Sequence, residues 1–310
     1  MKQTLHKSFY VVVVLALIAF SCKDDTLEFP TSARIFYSVV DRQAAFTALA
    51  NSADTYSWDF GDGTKSTEIN PVHVYASGGY YTVILSVQGK TGMDADTAQL
   101  AVDLTPYVLL TGGPTATKGK TWKMSGSHPK DKFANSDAKL SGVVDPLPPG
   151  VFGSIGIGEV YDDQYTFYFD GSYKHDVKAD GAAFAGYVTQ MLKNGGADIV
   201  NGNKTTFSYD LCTAKYTPEV GAKFTYTENV DYPVLSVYGD PAASYLLPYG
   251  GVNTLSFSGT EFVGFMDYNR KVIVQEIKDN SMRLVMFVAA SPTYFPAATH
   301  ALVLTFEVVK

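Results

Sequence analysis

Sulfur and tryptophan are scarce in this chain, with 2 Cys and 2 Trp in 310 residues. Two cysteines cannot form a disulfide scaffold, so stability must come from packed apolar interiors. Basic residues are in the minority, at 24 Lys and Arg against 31 Asp and Glu, for a formal charge of −7. No basic surface is available to displace counterions from phosphates, which excludes a nucleic-acid partner. The N-terminal apolar run, Phe9 to Phe20, is shorter than the roughly 20 residues that cross a bilayer. What the chain does have is 46% hydrophobic residues, enough for one or two cores. Its 21 Tyr and 19 Phe suit pleated, half-buried surfaces, so a β-rich protein is expected.

The first residues read as an address. Lys2 and Lys7 give a positive start, the apolar run follows, and Ala19-Phe20-Ser21-Cys22 closes it. This resembles a bacterial lipoprotein lipobox, although Phe20 stands where small residues are usual. Lys23-Asp24-Asp25 resembles the export signal that sends Bacteroidota lipoproteins to the outer cell face. The resemblance implies a signal peptide over 1–21, acyl chains on Cys22 that anchor the protein in outer-membrane lipid, and a tether over 22–30. An ordinary signal followed by a charged tether is the plainer alternative. Cys212 is then the remaining thiol, expected as a small buried hydrophobe.

From 31 to 105 short strands alternate with turns. Tyr56, Trp58 and Phe60 share one strand face, Gly61-Asp62-Gly63 breaks the strand, and Tyr81, Val83, Leu85 and Val87 form a second alternating run. The series Tyr56-x-Trp58-Asp59-Phe60-Gly61-Asp62-Gly63, Asn70-Pro71-x-His73-x-Tyr75 and Gly79-x-Tyr81-Thr82-Val83 resembles the polycystic-kidney-disease (PKD) repeat. That implies an immunoglobulin-like sandwich acting as a spacer. Asp59 and Asp62 could suit calcium, but bonds to the turn's own amides are the favoured role.

Leu109 to Pro114 reads as a boundary, and 106–310 as a second all-β domain. Tyr165 to Phe169 followed by Asp170-Gly171 predicts a hairpin, Val272–Ile277 and Met282–Val288 another, and 301–309 a closing strand. Phe184, Tyr187, Val188, Met191 and Leu192 fall on one helical stripe ended by Gly195-Gly196. The expectation is a jelly-roll-like β-sandwich with one short helix, an up-and-down barrel being the alternative.

Catalytic strings are absent. There is no Gly-x-Ser-x-Gly elbow, no His-Glu-x-x-His pair, and no Glu-x-Asp-x-x-Glu of the kind laminarinase-type sandwiches carry. Asp162-Asp163 is the nearest acidic pair, but neighbouring strand residues point to opposite faces, so a turn or a calcium suits it better than catalysis. No enzyme is expected, and no cofactor, calcium excepted. Sugar rings stack on aromatic side chains that stand on loops. Tyr245, Tyr249 and Tyr294 meet that condition beside prolines and small residues. Trp122, between lysines, is either core or platform, and Asp267, Asn269 and Arg270 could bond hydroxyls. An anchored sandwich spacer before an aromatic-rich β domain resembles the surface glycan-binding lipoproteins of Bacteroidota polysaccharide-utilisation systems. That implies a polysaccharide ligand, with a β-glucan such as laminarin preferred, and a transporter pair of the SusC/SusD type as neighbour. A surface adhesin and an unrecognised glycan-degrading enzyme are the competing classes.

Overall fold

The computed structural model describes residues 29–202 and 210–310. Cys22, Lys23, Asp24 and Asp25 lie outside the described residues. The chain divides into a smaller unit, which holds residues 44–73 and 82–98, and a larger one, which holds residues 99–310.

The first strands are β1 (Ser32–Val40), β2 (Gln43–Asn51), β3 (Thr55–Asp59), β4 (Lys65–Ser66), β5 (Val72–Val74), β6 (Gly79–Gly89) and β7 (Gly92–Val102). They form two sheets, β1-β2-β5 and β4-β3-β6-β7, in the immunoglobulin-like arrangement expected. Alternation decides the core: Trp58, Phe60, Val83, Leu85 and Val87 are buried, with Trp58 opposite Leu85 in register. The Phe46 ring lies 5.3 Å from Trp58, whose Nε1 donates to the Glu68 carbonyl at 2.9 Å. In the turn, Asp59 accepts from the Gly61 amide and Asp62 from the Thr64 amide. Asp62 Oδ2 also lies 2.7 Å from His73 Nε2, and the His73 ring stacks on Phe60 at 4.3 Å. The favoured reading of both carboxylates, as bonds to the turn's amides, is therefore what the geometry contains.

Gly61 is required here for two reasons. Its φ is +78°, and a Cβ would come within 2.4 Å of the Thr82 carbonyl oxygen. Gly61→Ala is expected to cost roughly 2 kcal/mol or more. A lowered urea midpoint at unchanged slope would show it, whereas an unchanged midpoint would contradict the close approach.

The larger unit carries β8 (Lys120–Met124), β9 (Lys132–Asn135), β10 (Gly142–Val144), β11 (Gln164–Phe167), β12 (Tyr173–Asp176), β13 (Ala182–Gly186), β14 (Ile199–Asn201), β15 (Leu211–Lys215), β16 (Phe224–Asp240), β17 (Leu246–Phe257), β18 (Val272–Ile277), β19 (Ser281–Val288) and β20 (His300–Val308). Among the described residues its main sheet runs β12-β11-β8-β20-β19-β18-β17-β16, with β9 and β10 attached at β20. From β16 to β20 each strand pairs antiparallel with the next, the connectivity of an up-and-down sheet. The sheet curls far enough for its outer strands to approach. Ser172 bridges Lys223, the Tyr173 amide donates to Ala222, and the Phe224 amide donates to Gly171. The wrap is sandwich-like, as the sequence suggests, while the strand order is that of the alternative reading.

The interior of this wrap holds Trp122, Phe133, Phe167, Phe184, Phe265 and Phe306. Alternate residues on the outer face make a second apolar layer, with Val285, Phe287, Ile273 and Val303 under Tyr232, Val234 and Tyr249. Cys212 is fully buried in β15, its Sγ 3.4 Å from the Ala185 carbonyl, and burial pushes the thiol up to about 12.

Among the described residues, three short α-helices complete the unit. In α1 (Pro106–Thr111) the Thr105 hydroxyl caps the Val108 amide, Pro106 stands in the first turn and Gly112 closes the helix at φ +84°. Helix α2 spans Val151–Ser154. Helix α3 (Tyr187–Asn194) ends at Gly195, φ +69°, where the glycine pair placed the stop. Two details of the sequence reading need correction. Phe184 belongs to β13, fully buried, and the helix starts after it; Leu192 is exposed. Within the Leu109–Pro114 stretch, Leu110 belongs to α1 and sits in the main core.

Candidate functional site

Three connections of the larger unit bring aromatic rings to one neighbourhood. The first is the tip of the β16–β17 hairpin, whose long arms pair through Tyr232↔Tyr249, Pro233↔Pro248 and Leu235↔Leu246. The second is the β19–β20 connection. Its Ala298 donates to the Leu235 carbonyl at 2.8 Å and accepts from the Val237 amide at 2.9 Å. The third is the turn before β18, where Tyr268 meets Phe295 edge to face at 5.5 Å. The backbone thus ties the segment of Tyr294 and Phe295 to the hairpin that carries Tyr238 and Tyr245, and the Phe295 ring carries the link on to Tyr268.

Tyr268 and Tyr294 are the most open of these, at 61% and 60%, and Tyr238 and Tyr245 follow at 47% each. Side chains this open present much of their ring surface to solvent. Tyr245 sits at φ +61° after Ser244 at +57°, a tight tip held by its amide donating to Asp240.

The turn before β18 is rigid from beneath. Asp267 is buried, accepting from Thr189 Oγ1, the Tyr268 amide at 2.7 Å and the Ala289 amide at 2.9 Å. Burial raises its pKa. Asn269 Oδ1 accepts from the Tyr232 hydroxyl at 2.8 Å and the Lys271 amide at 3.2 Å. The Lys271 ammonium lies 4.7 Å from the centre of the Tyr232 ring.

The structure brings only part of the expected set together. Tyr245 and Tyr294 are exposed aromatics on loops, as the residues suggested. Trp122 is no platform: it is fully buried in β8 and its Nε1 donates to the Leu110 carbonyl at 2.9 Å, since alternation turns it inward and Lys123 outward, while the Lys120 ammonium on its own face lies 4.9 Å from the centre of its ring. Tyr249 is not on a loop but in β17, packed 5.4 Å from Phe287, with its hydroxyl bonded to the Asp137 carbonyl at 3.0 Å. Asp267 has its oxygens taken by the protein, so it holds the turn and does not meet hydroxyls. Asn269 is half-buried with Oδ1 engaged, and Arg270 is half-exposed. The residue missed is Tyr268. Its position inside Asp267-Tyr268-Asn269-Arg270, a polar run that isolates the ring from any apolar stripe, is the signal that could have found it.

The carboxylates are mostly engaged. Glu159 accepts from Asn201 and Thr213, Glu276 pairs with Lys278 and Arg283, and Glu219 accepts from Thr260. Glu261 is buried 3.5 Å from His175 Nδ1, beside the Tyr165 and Tyr216 rings that flank that histidine. Of the Asp162-Asp163 pair, Asp162 is exposed and Asp163 buried. Burial, with the charges of Asp180 and Asp176, pushes Asp163 up to about 8, and its Oδ2 has no hydrogen-bond partner among the described residues. No group of three His, Cys, Asp or Glu among the described residues could hold a metal ion. Nor is any described helix long and apolar enough to cross a membrane.

Comparison with known proteins falls mainly on the first domain. Collagenase ColA of Bacillus cereus is 54% identical over 41 residues, 13% of this chain, and the microbial collagenase of Vibrio alginolyticus is 47% identical over 45 residues. The chain spans only 4% and 6% of those two proteins. The crystal structure of the PKD1 domain from the Vibrio cholerae metalloprotease PrtV is 30% identical. It is covered over 99% of its length and 24% of this chain, with a TM-score of 0.23. A carbohydrate-binding module of the β-sandwich superfamily aligns over 91% of this chain and 92% of its own, at 12% identity and a TM-score of 0.24, too low to support an inference. The family model described as PKD domain matches residues 37–104, the stretch that holds the Trp58–Gly63 and Asn70–Tyr75 motifs. The chain is all-β, and residues 37–104 are a PKD domain followed by a larger β-sandwich-like region.

Proposed function

We propose that this is a lipid-anchored cell-surface protein whose larger region binds a polysaccharide, while its PKD domain acts as a spacer. The observation that carries the reading is the group of exposed rings on adjoining connections, Tyr268, Tyr294, Tyr238 and Tyr245. Aromatic faces take the apolar C–H faces of sugar rings, and nearby polar side chains such as Arg270 and Lys271 serve the hydroxyls. In this reading Cys22 carries the acyl chains, Lys23-Asp24-Asp25 directs export to the outer face of the outer membrane, and the bound glycan is held for a transporter pair of the SusC/SusD type. A β-glucan such as laminarin is the preferred ligand. No catalytic step is part of this proposal.

Native electrophoresis through gels cast with laminarin, mixed-linkage glucan, xylan, mannan, chitosan and α-glucans tests it. One polymer is expected to retard the protein without release of reducing sugar. Tyr268→Ala with Tyr294→Ala should weaken that retardation at least about tenfold, since each lost ring contact is worth around 1 kcal/mol. No retardation by any polymer would reject the reading. It would favour a surface adhesin, for which Phe36, Leu49 and Val72, exposed on the β1-β2-β5 sheet, supply an apolar contact face.

A further inference from the structure

A separate cleft of about 350 Å³ opens on the outer face of the main sheet. It forms where the β16–β17 hairpin leaves its neighbour. Strand β17 pairs with β18 only through Asn253–Leu255 against Val272–Val274, and a glycine pair, Gly250-Gly251, then redirects it. Its apolar lining includes Leu140, Ile273, Val285 and Tyr249. The Tyr249 hydroxyl is engaged, donating to the carbonyls of Ser136 and Asp137, which pins the 136–140 segment at the cleft's border. Lys139 and Gln275, both exposed, supply a polar rim.

We propose that this cleft binds a single neutral sugar residue, a chain end or a one-residue branch. The inference rests on the polysaccharide reading above for its biological sense, but not for its chemistry. The volume is at the small end for a ligand pocket, on the scale of a short unit rather than a length of polymer. An apolar floor suits a pyranose C–H face. The Gln275 amide both donates and accepts, as ring hydroxyls require, and the Lys139 ammonium donates. One ammonium, whose own segment carries the Asp137 carboxylate at the border, does not make a site for an anion. The exposed rings at Tyr268 and Tyr294 suit the interior of a chain instead, so the two places divide the work of holding one polymer.

Saturation-transfer NMR of the whole protein with free glucose, galactose, mannose, xylose and N-acetylglucosamine at millimolar concentration tests this. At least one sugar should give transfer. In a Tyr268→Ala, Tyr294→Ala background, which removes transfer from those exposed rings, the signal should persist, and adding Gln275→Trp, which fills the cleft from an exposed position, should abolish it. Gln275→Ala with Lys139→Ala should weaken it at least fivefold, as a second route should the filled variant fold poorly. Near-ultraviolet circular dichroism reports folding for each. Transfer that survives Gln275→Trp in that background, or no transfer from any sugar, would overturn the cleft. Polymer retardation in gels is read separately, so its absence together with a sugar-binding cleft would reject only the surface reading.

Discussion

Replacing Trp122 by alanine should destabilise the larger unit by about 3–5 kcal/mol, the usual cost of emptying a large buried aromatic site. The side chain is fully buried in the main core, and its loss would also leave the Leu110 carbonyl without its indole donor. Trp122→Phe keeps most of the volume and should cost about 1–2 kcal/mol, chiefly the hydrogen bond. Tyr268→Ala, an exposed change, should stay within about 0.5 kcal/mol. Guanidinium unfolding followed by far-ultraviolet circular dichroism orders the three. Were Trp122→Ala to match Tyr268→Ala in stability and differ only in glycan retention, the core assignment of this residue would be wrong.

The second large effect is expected at Asp163, as a dependence on pH. Its folded carboxyl stays protonated up to about pH 8 because burial, then the charges of Asp180 and Asp176, oppose ionisation; Lys178 acts in the other direction. In the unfolded chain the same group ionises near its ordinary value of 3.8. Folding therefore takes up a proton between these values, so stability falls as pH rises from about 4 to 8 and levels off above. Asp163→Asn resembles the neutral acid and removes that slope. The variant should match the parent near pH 4 and exceed it by up to about 4 kcal/mol at pH 7 to 8. In a unit of this size that is a rise in melting temperature on the order of 10 °C. Thermal melts at pH 4, 6 and 8 measure it, and a variant that gains nothing at pH 8 would contradict the protonated state. The Tyr165 and Tyr173 hydroxyls face the same region, and both titrate well above this window.

The elements with local signals were legible in the sequence. Asp170-Gly171 gives its hairpin, with Phe167 paired to Tyr173, and the resemblance of the Tyr56–Val83 motifs to the PKD repeat gives a domain. What failed depended on distant partners. Ala182 to Gly186, four small residues around Phe184, are buried on both faces, so β13 has no alternation to separate it from the helix that follows. Tyr249 stands among prolines and glycines that suggest a loop, but Pro248 is opposite Pro233 in a paired strand, and only the other arm supplies that register. Asp267 looked available because its three donors, from Thr189, Tyr268 and Ala289, come largely from elsewhere in the chain. Tyr268 was hidden for the same reason, since its exposure is set by the segments packed around that turn. For the site, then, the residue types were visible, while their directions came from the sheet.

The meeting of the main sheet's outer strands at Ser172 and Lys223 has a consequence for life in a crowded place. A sheet with two open margins offers rows of unpaired amides and carbonyls to any neighbouring chain, and exposed strands recruit one another into aggregates. Here the outermost strands satisfy part of each other's main chain, through Tyr173 with Ala222 and Phe224 with Gly171. Over that stretch a second copy finds no vacant strand to extend. Side-by-side copies are thereby denied one route of strand-to-strand association.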